Sequence, residues 1–146
     1  MFNEFFLEVE LVHPHAKMPT RATNADAGLD FYTPTELSIP PQTDALIPLG
    51  VKTRFPNGYA LIMKEKSGIA TKKQLSVGAC VVDSEYRGVV HAHLFNHGNA
   101  TVTFNAGDKV IQGVIVPVWA GQPTQVENIE NDTARGEGGF GSSGNQ

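Results

Sequence analysis

The stretch Cys80–Phe95, CVVDSEYRGVVHAHLF, sets one carboxylate and one aromatic between two apolar runs. Cys80-Val81-Val82 and Val89-Val90 carry side chains that suit a pleated, half-buried surface, and Asp83-Ser84-Glu85 with Arg87-Gly88 supplies turn chemistry between them. The pattern predicts a β-hairpin. The rim of such a hairpin presents main-chain donors and acceptors that can read a flat heterocycle, with Asp83 directed into the cleft and Tyr86 as its wall. The same pattern also fits an ordinary hairpin with solvated turn charges, so residues elsewhere must decide.

Outward from this centre the chain keeps breaking. Phe5 to Val12 alternates apolar and acidic residues, a half-buried strand that His13-Pro14 ends, and Ala16 to Ala27 reads as a polar loop. Gly28 to Thr33 forms a short strand carrying Asp30, after which Pro34, Pro40, Pro41, Pro48 and Pro56 exclude any long helix. Short runs at Ala45 to Val51, Tyr59 to Met63, Val89 to Phe95, Thr101 to Phe104 and Lys109 to Val118 read as strands, and Ser67 to Lys73 as a single helical turn. Many short strands with frequent turn signals predict an all-β sandwich, jelly roll or barrel, with Trp119 packed at the end of its last strand.

With 146 residues and 40% hydrophobic content, one domain with a sizeable core is expected. A net charge of −4 without a lysine or arginine run argues against a nucleic-acid surface, so an anionic partner should be small. The lone Cys80 forms no internal disulfide, and the opening MFNEFFLEVE has neither signal-peptide pattern nor membrane-spanning length. These features predict a cytoplasmic setting and no membrane partner.

A domain over 1–134 and a mobile glycine-rich arm over 135–146 complete the expected organisation. In the arm, Gly136, Gly138, Gly139 and Gly141 let backbone N–H groups converge, Ser142 and Ser143 add hydroxyls, and Arg135 adds a planar cation, a set that suits a phosphate chain. Phe140 has no core to join and is placed to stack on a base. The lysine of a Walker loop is missing. Lys66-Ser67-Gly68 offers a second anion contact, Gln112 is a polar interruption of VIQGVIV that needs a hydrogen-bonding duty, and Asp30 can hold a hydrated divalent cation through water or be a solvated turn residue. His91 and His93 share a strand face without a third ligand at metal-site spacing, and Cys80 has no adjacent base, so neither is read as a reactive centre.

Five motifs in order, AGLDF at 27–31, KSG at 66–68, VVD with YRG at 81–88, GD through Gln112, and RGEGGFGSSG at 135–144, resemble those of the trimeric deoxyuridine triphosphatases. The resemblance covers roughly Thr20 to Gly144. It implies a jelly-roll homotrimer with active sites shared between subunits, converting dUTP to dUMP and pyrophosphate with Mg2+. Asp83 would then be the general base, and Asp30 would hold magnesium through water. Lys66, Ser67 and Gly68 would contact phosphates, while Val82 and the hairpin backbone read uracil and Tyr86 packs on the deoxyribose. Gln112 would belong to the fourth motif. Arg135, Gly141, Ser142 and Ser143 would close on the γ-phosphate and Phe140 on the base.

This chain departs from the family pattern at Lys66, where arginine is usual, at Cys80, where glycine is frequent, and at Val77, where many members have asparagine. Two rival readings are a dCTP deaminase of the same fold and a nucleotide-sensing binding protein whose arm is ordered by ligand.

Overall fold

The computed structural model describes residues 4–144. In chain order the elements are β1 (Glu8–Leu11), β2 (Leu29–Tyr32), β3 (Leu37–Ile39), β4 (Asp44–Pro48), β5 (Val51–Arg54), β6 (Tyr59–Lys64), α1 (Ser67–Lys73), β7 (Leu75–Val77), β8 (Val81–Asp83), β9 (His91–Asn96), β10 (Val102–Phe104) and β11 (Lys109–Pro117). A four-stranded sheet has the order β2-β11-β6-β8, a three-stranded sheet the order β4-β9-β7, and β1-β5 and β10-β3 are two-stranded ribbons. All pairs are antiparallel. The result is the expected all-β, jelly-roll-like architecture, and no helix among the described residues is long and apolar enough to cross a membrane.

Side-chain alternation builds the core. Along β9, Ala92, Leu94 and Asn96 point inward while His91, His93 and Phe95 stay half-buried on the other face, the two-residue period of a pleated strand. Leu94 and Ala92 join Ile47 and Leu75 of the same sheet and Phe31, Leu61, Met63 and Ile111 of the other in one apolar cluster. Asn96 is buried without loss because its amide donates to the Ile39 and Ala100 carbonyls, both at 2.9 Å, and its oxygen accepts the Gly98 N–H at 2.9 Å. In β11, Gly113 lets Phe31 and Leu61 approach: a Cβ there would sit 2.7 Å from Leu61 and 2.8 Å from Phe31.

The helix SGIATKK spans Ser67–Lys73 as the sequence suggests. Ile69 buries one side, Lys72 and Lys73 lie at the favourable end of the helix dipole, and Gln74 ends it in a left-handed conformation with φ 55°. β3 and β7 escaped the sequence reading because LSI and LSV each centre on a serine, without the β-branched or aromatic density of VVD in β8 and VTF in β10.

The central hairpin requires correction. Val81-Val82 lie in β8, which pairs with β6, whereas Val89-Val90 lie outside any strand and lead into β9, which pairs with β4 and β7. Val90 instead exchanges backbone bonds with the β4–β5 region, donating to the Val51 carbonyl at 2.8 Å and accepting the Leu49 N–H at 2.9 Å. β-branched residues mark both runs as extended without revealing which neighbour each will choose. A second correction concerns Trp119, which is three-quarters exposed in this chain instead of packed. Beyond the Val118 N–H bond to Gly58 the described residues contain neither helix nor strand.

Candidate active site

β8 has a strand partner on one side only and forms the end of the four-stranded sheet. Beside it lies a cleft of about 200 Å³ lined by Ala79, Cys80, Val82, Asp83, Tyr86 and Val90, among others. Asp83 is exposed at the last position of the strand, and its carbonyl accepts the Tyr86 N–H at 3.1 Å, turning the chain back. The Tyr86 hydroxyl donates to the Val89 carbonyl at 3.0 Å, and the Arg87 guanidinium donates to the Ser84 carbonyl at 2.7 Å. The loop therefore ties itself down, and Tyr86 is fixed as a wall although 43% exposed.

A second cluster centres on Asp30. It lies buried in β2, not in a solvated turn, and its carboxylate pairs with Lys66 through one oxygen and with Lys109 at 3.1 Å through the other. Burial would raise its pKa, but the hydrogen bonds and charges of Lys66 and Lys109 outweigh burial and hold it below the ordinary aspartate value. Gln112 sits opposite Asp30 on one side and Lys64 on the other, and its amide donates to the Glu65 carbonyl at 3.0 Å. Gly28 makes room for it, since a Cβ would fall 2.3 Å from the Gln112 side-chain oxygen. Lys66, Ser67, Gly68, Lys72, Lys73 and Lys109 line a shallow hollow of about 360 Å³. An ammonium has three donors, so Lys66 and Lys109 keep N–H groups for an anion while holding Asp30.

This arrangement does not fit Asp30 as a direct magnesium ligand, whereas each carboxylate oxygen keeps a lone pair that a metal-bound water can use. Both of its oxygens are committed to ammonium groups, and the described residues contain no cluster of three histidine, cysteine or acidic side chains that could hold a metal.

The two clusters occupy opposite ends of β6. Asp83 pairs with Ala60 and Gln112 with Lys64, about 13 Å apart along the strand at roughly 3.3 Å per residue and on opposite flanks of it. Arg135 to Gly144 approaches neither by hydrogen bond: its contacts are local turns, including Arg135 to the Gly138 carbonyl at 2.8 Å and the Ser142 N–H to Gly139 at 3.1 Å. Gly136 and Gly141 adopt φ 52° and 90°, and Phe140 is fully exposed. In the sequence alone Lys109 and Glu65 have no role of their own. Lys109 becomes relevant only through the register that sets β11 against β2, and Glu65 through its acceptance of the Val77 N–H at 3.0 Å.

The dUTPase family model matches residues 14–144. A deoxyuridine 5'-triphosphate nucleotidohydrolase of Debaryomyces hansenii is 39% identical over 139 residues, covering 94% of this chain and 87% of the relative. That of Solanum lycopersicum is 34% identical and covers 95% of this chain and 82% of the relative. Among solved structures, the Staphylococcus bacteriophage 80alpha dUTPase with dUPNHPP superposes with a TM-score of 0.89 at 28% identity, covering 95% of this chain and 98% of that one. The chain belongs to the dUTPase family.

Proposed function

We propose that this chain hydrolyses dUTP to dUMP and pyrophosphate, with Asp83 accepting a proton from the attacking water. The new bond joins the water oxygen to the α-phosphorus, the bond to the bridging oxygen on the β side breaks, and pyrophosphate leaves. The observation that carries the reading is an exposed carboxylate on an open strand edge, beside a cleft whose aromatic wall, Tyr86, is locked by its own loop. A carboxylate held at the end of a strand is a base that needs no reorganisation.

In this reading Val82 and its neighbours read uracil by backbone contacts, and Tyr86 packs where a 2′-hydroxyl would project. Lys66, Ser67 and Gly68 contact phosphates, with Lys109 beside them, and Gln112 acts by holding the Glu65 carbonyl so that Lys66 is aimed. Arg135, Gly141, Ser142, Ser143 and Phe140 close over the nucleotide from the arm. A divalent ion such as Mg2+ would accompany the triphosphate and neutralise part of its charge. The single, half-buried Cys80 suits a reducing, cytoplasmic compartment.

In this reading the protein is a homotrimer, as the resemblance to the trimeric family implies, and base, phosphate grip and arm at one site come from different subunits. Complementation tests it. Chains with Asp83→Asn keep the arm, chains ending before Arg135 keep Asp83, and each homotrimer alone is inactive. Co-refolded in equal amounts they should recover about one quarter of wild-type pyrophosphate release, since each half of a site has a one-half chance of being intact. No recovery in mixed trimers proven by mass would overturn the shared site. Ammonia from dCTP in place of pyrophosphate from dUTP would favour the deaminase, and a tight dUTP complex without turnover the sensor.

A further inference from the structure

The structure assigns to His93 a positioning role: its imidazole clamps the Gly78-Ala79-Cys80 segment that walls the nucleoside cleft. The role rests on the proposed use of that cleft for dUTP. Gly78 to Cys80 is the crossing between sheets, leaving β7 in one and entering β8 in the other. On one side the Cys80 carbonyl accepts the Met63 N–H at 2.7 Å. His93 supplies the other side twice. Its backbone carbonyl accepts the Gly78 N–H at 3.0 Å, and its ring Nδ1 accepts the Ala79 N–H at 2.9 Å.

Only an unprotonated Nδ1 can accept, so the ring proton must sit on Nε2, which faces Asp44 Oδ2 at 2.7 Å. Asp44 therefore selects the tautomer that holds Ala79. Asp44 itself is kept below the ordinary aspartate value, chiefly by this bond from His93. The ring lies close enough to Gly78 that a Cβ there would come 2.1 Å from Nδ1, so no side chain fits between clamp and segment. Asp44 is the charged group on β4, β7 contributes none, and His91, two residues along the same face, is committed separately with its Nδ1 2.8 Å from the Val89 carbonyl. An imidazolium has two donors and no acceptor, so protonation forfeits the Ala79 bond and loosens the wall.

Three variants separate the two ring nitrogens. In His93→Asn the side-chain oxygen takes the place of Nδ1, in His93→Gln the amide takes the place of Nε2, and His93→Leu has neither. His93→Leu and His93→Gln should raise KM for dUTP about tenfold while kcat stays within about twofold, the loss expected when a backbone donor is left unpaired. His93→Asn should return KM to near wild type. Amide exchange of Ala79 in the nucleotide-free protein should quicken in His93→Leu and His93→Gln and not in His93→Asn. This last readout does not depend on turnover, so failure of the dUTPase reading would show in the wild type while the clamp is still tested. Equal Ala79 exchange in all variants, or an Asn variant no better than Leu, would overturn the proposal. If His93→Leu does not fold, the Asn and Gln pair decides alone.

Discussion

Tyr86 lies across Gly88: a Cβ on Gly88 would come 2.3 Å from the phenol oxygen and 2.5 Å from the ring carbon that bears it. The aromatic wall and the glycine two residues later are thus one device. Gly88→Ala should push Tyr86 off the Val89 carbonyl, lower kcat/KM for dUTP by at least about tenfold and narrow the preference for dUTP over UTP. Tyr86→Phe, which keeps the ring and loses only one hydrogen bond, should keep that preference with a stability loss of about 1 kcal/mol. Steady-state kinetics with both nucleotides distinguish the two.

Asp83→Asn should leave KM for dUTP within a few-fold and lower kcat by about 10²–10⁴, the range for loss of a general base. Equal losses in binding, measured by calorimetry, would move Asp83 from the chemistry to the binding surface.

The Asp30 carboxyl yields a pH prediction. Its folded-state pKa lies below the ordinary value of 3.8, because Lys66 and Lys109 outweigh burial. A depressed carboxyl pKa contributes stability that is fully present above the unfolded value and is lost as pH falls through the folded one. Wild type should therefore lose stability below about pH 4, and Asp30→Asn should lack that part of the slope. At neutral pH the variant should be destabilised by about 2 kcal/mol, a figure reduced because both lysines are partly solvated. Thermal unfolding from pH 7 to about pH 2.5 reads both effects.

Removal of 135–146 should leave the melting temperature within about 2 °C, because the hydrogen bonds of 135–144 run within the arm and to Thr133. Turnover should fall at least about a hundredfold if closure of the arm completes the site. A truncated chain that fails to fold would show instead that the arm supports the barrel.

Much of this architecture was legible from local chemistry. The strand at Gly28 to Thr33 and the helix at Ser67 to Lys73 follow from short-range patterns, and both appear where expected. Strand partners did not follow, because Val81-Val82 and Val89-Val90 are equally suited to any half-buried edge and only the sequence-distant neighbours β6 and Leu49-Gly50-Val51 decide between them. Asp30 shows the same limit at the site. Its carboxylate was visible as chemistry, but its burial between Lys66 and Lys109 depends on the bulge that shifts register between Lys109 and Ile111.

An unpaired strand edge is ordinarily a template on which other chains can grow a sheet. β8 is such an edge, and it must stay uncovered if a base is to be read there. Its three residues offer roughly 10 Å of ladder, about the span of a heterocycle and its sugar and too little for a stable intermolecular strand. Asp83, Ser84 and Glu85 then end the run with charge and a turn. The length of this edge thus guards the protein against self-polymerisation while leaving the nucleotide its place.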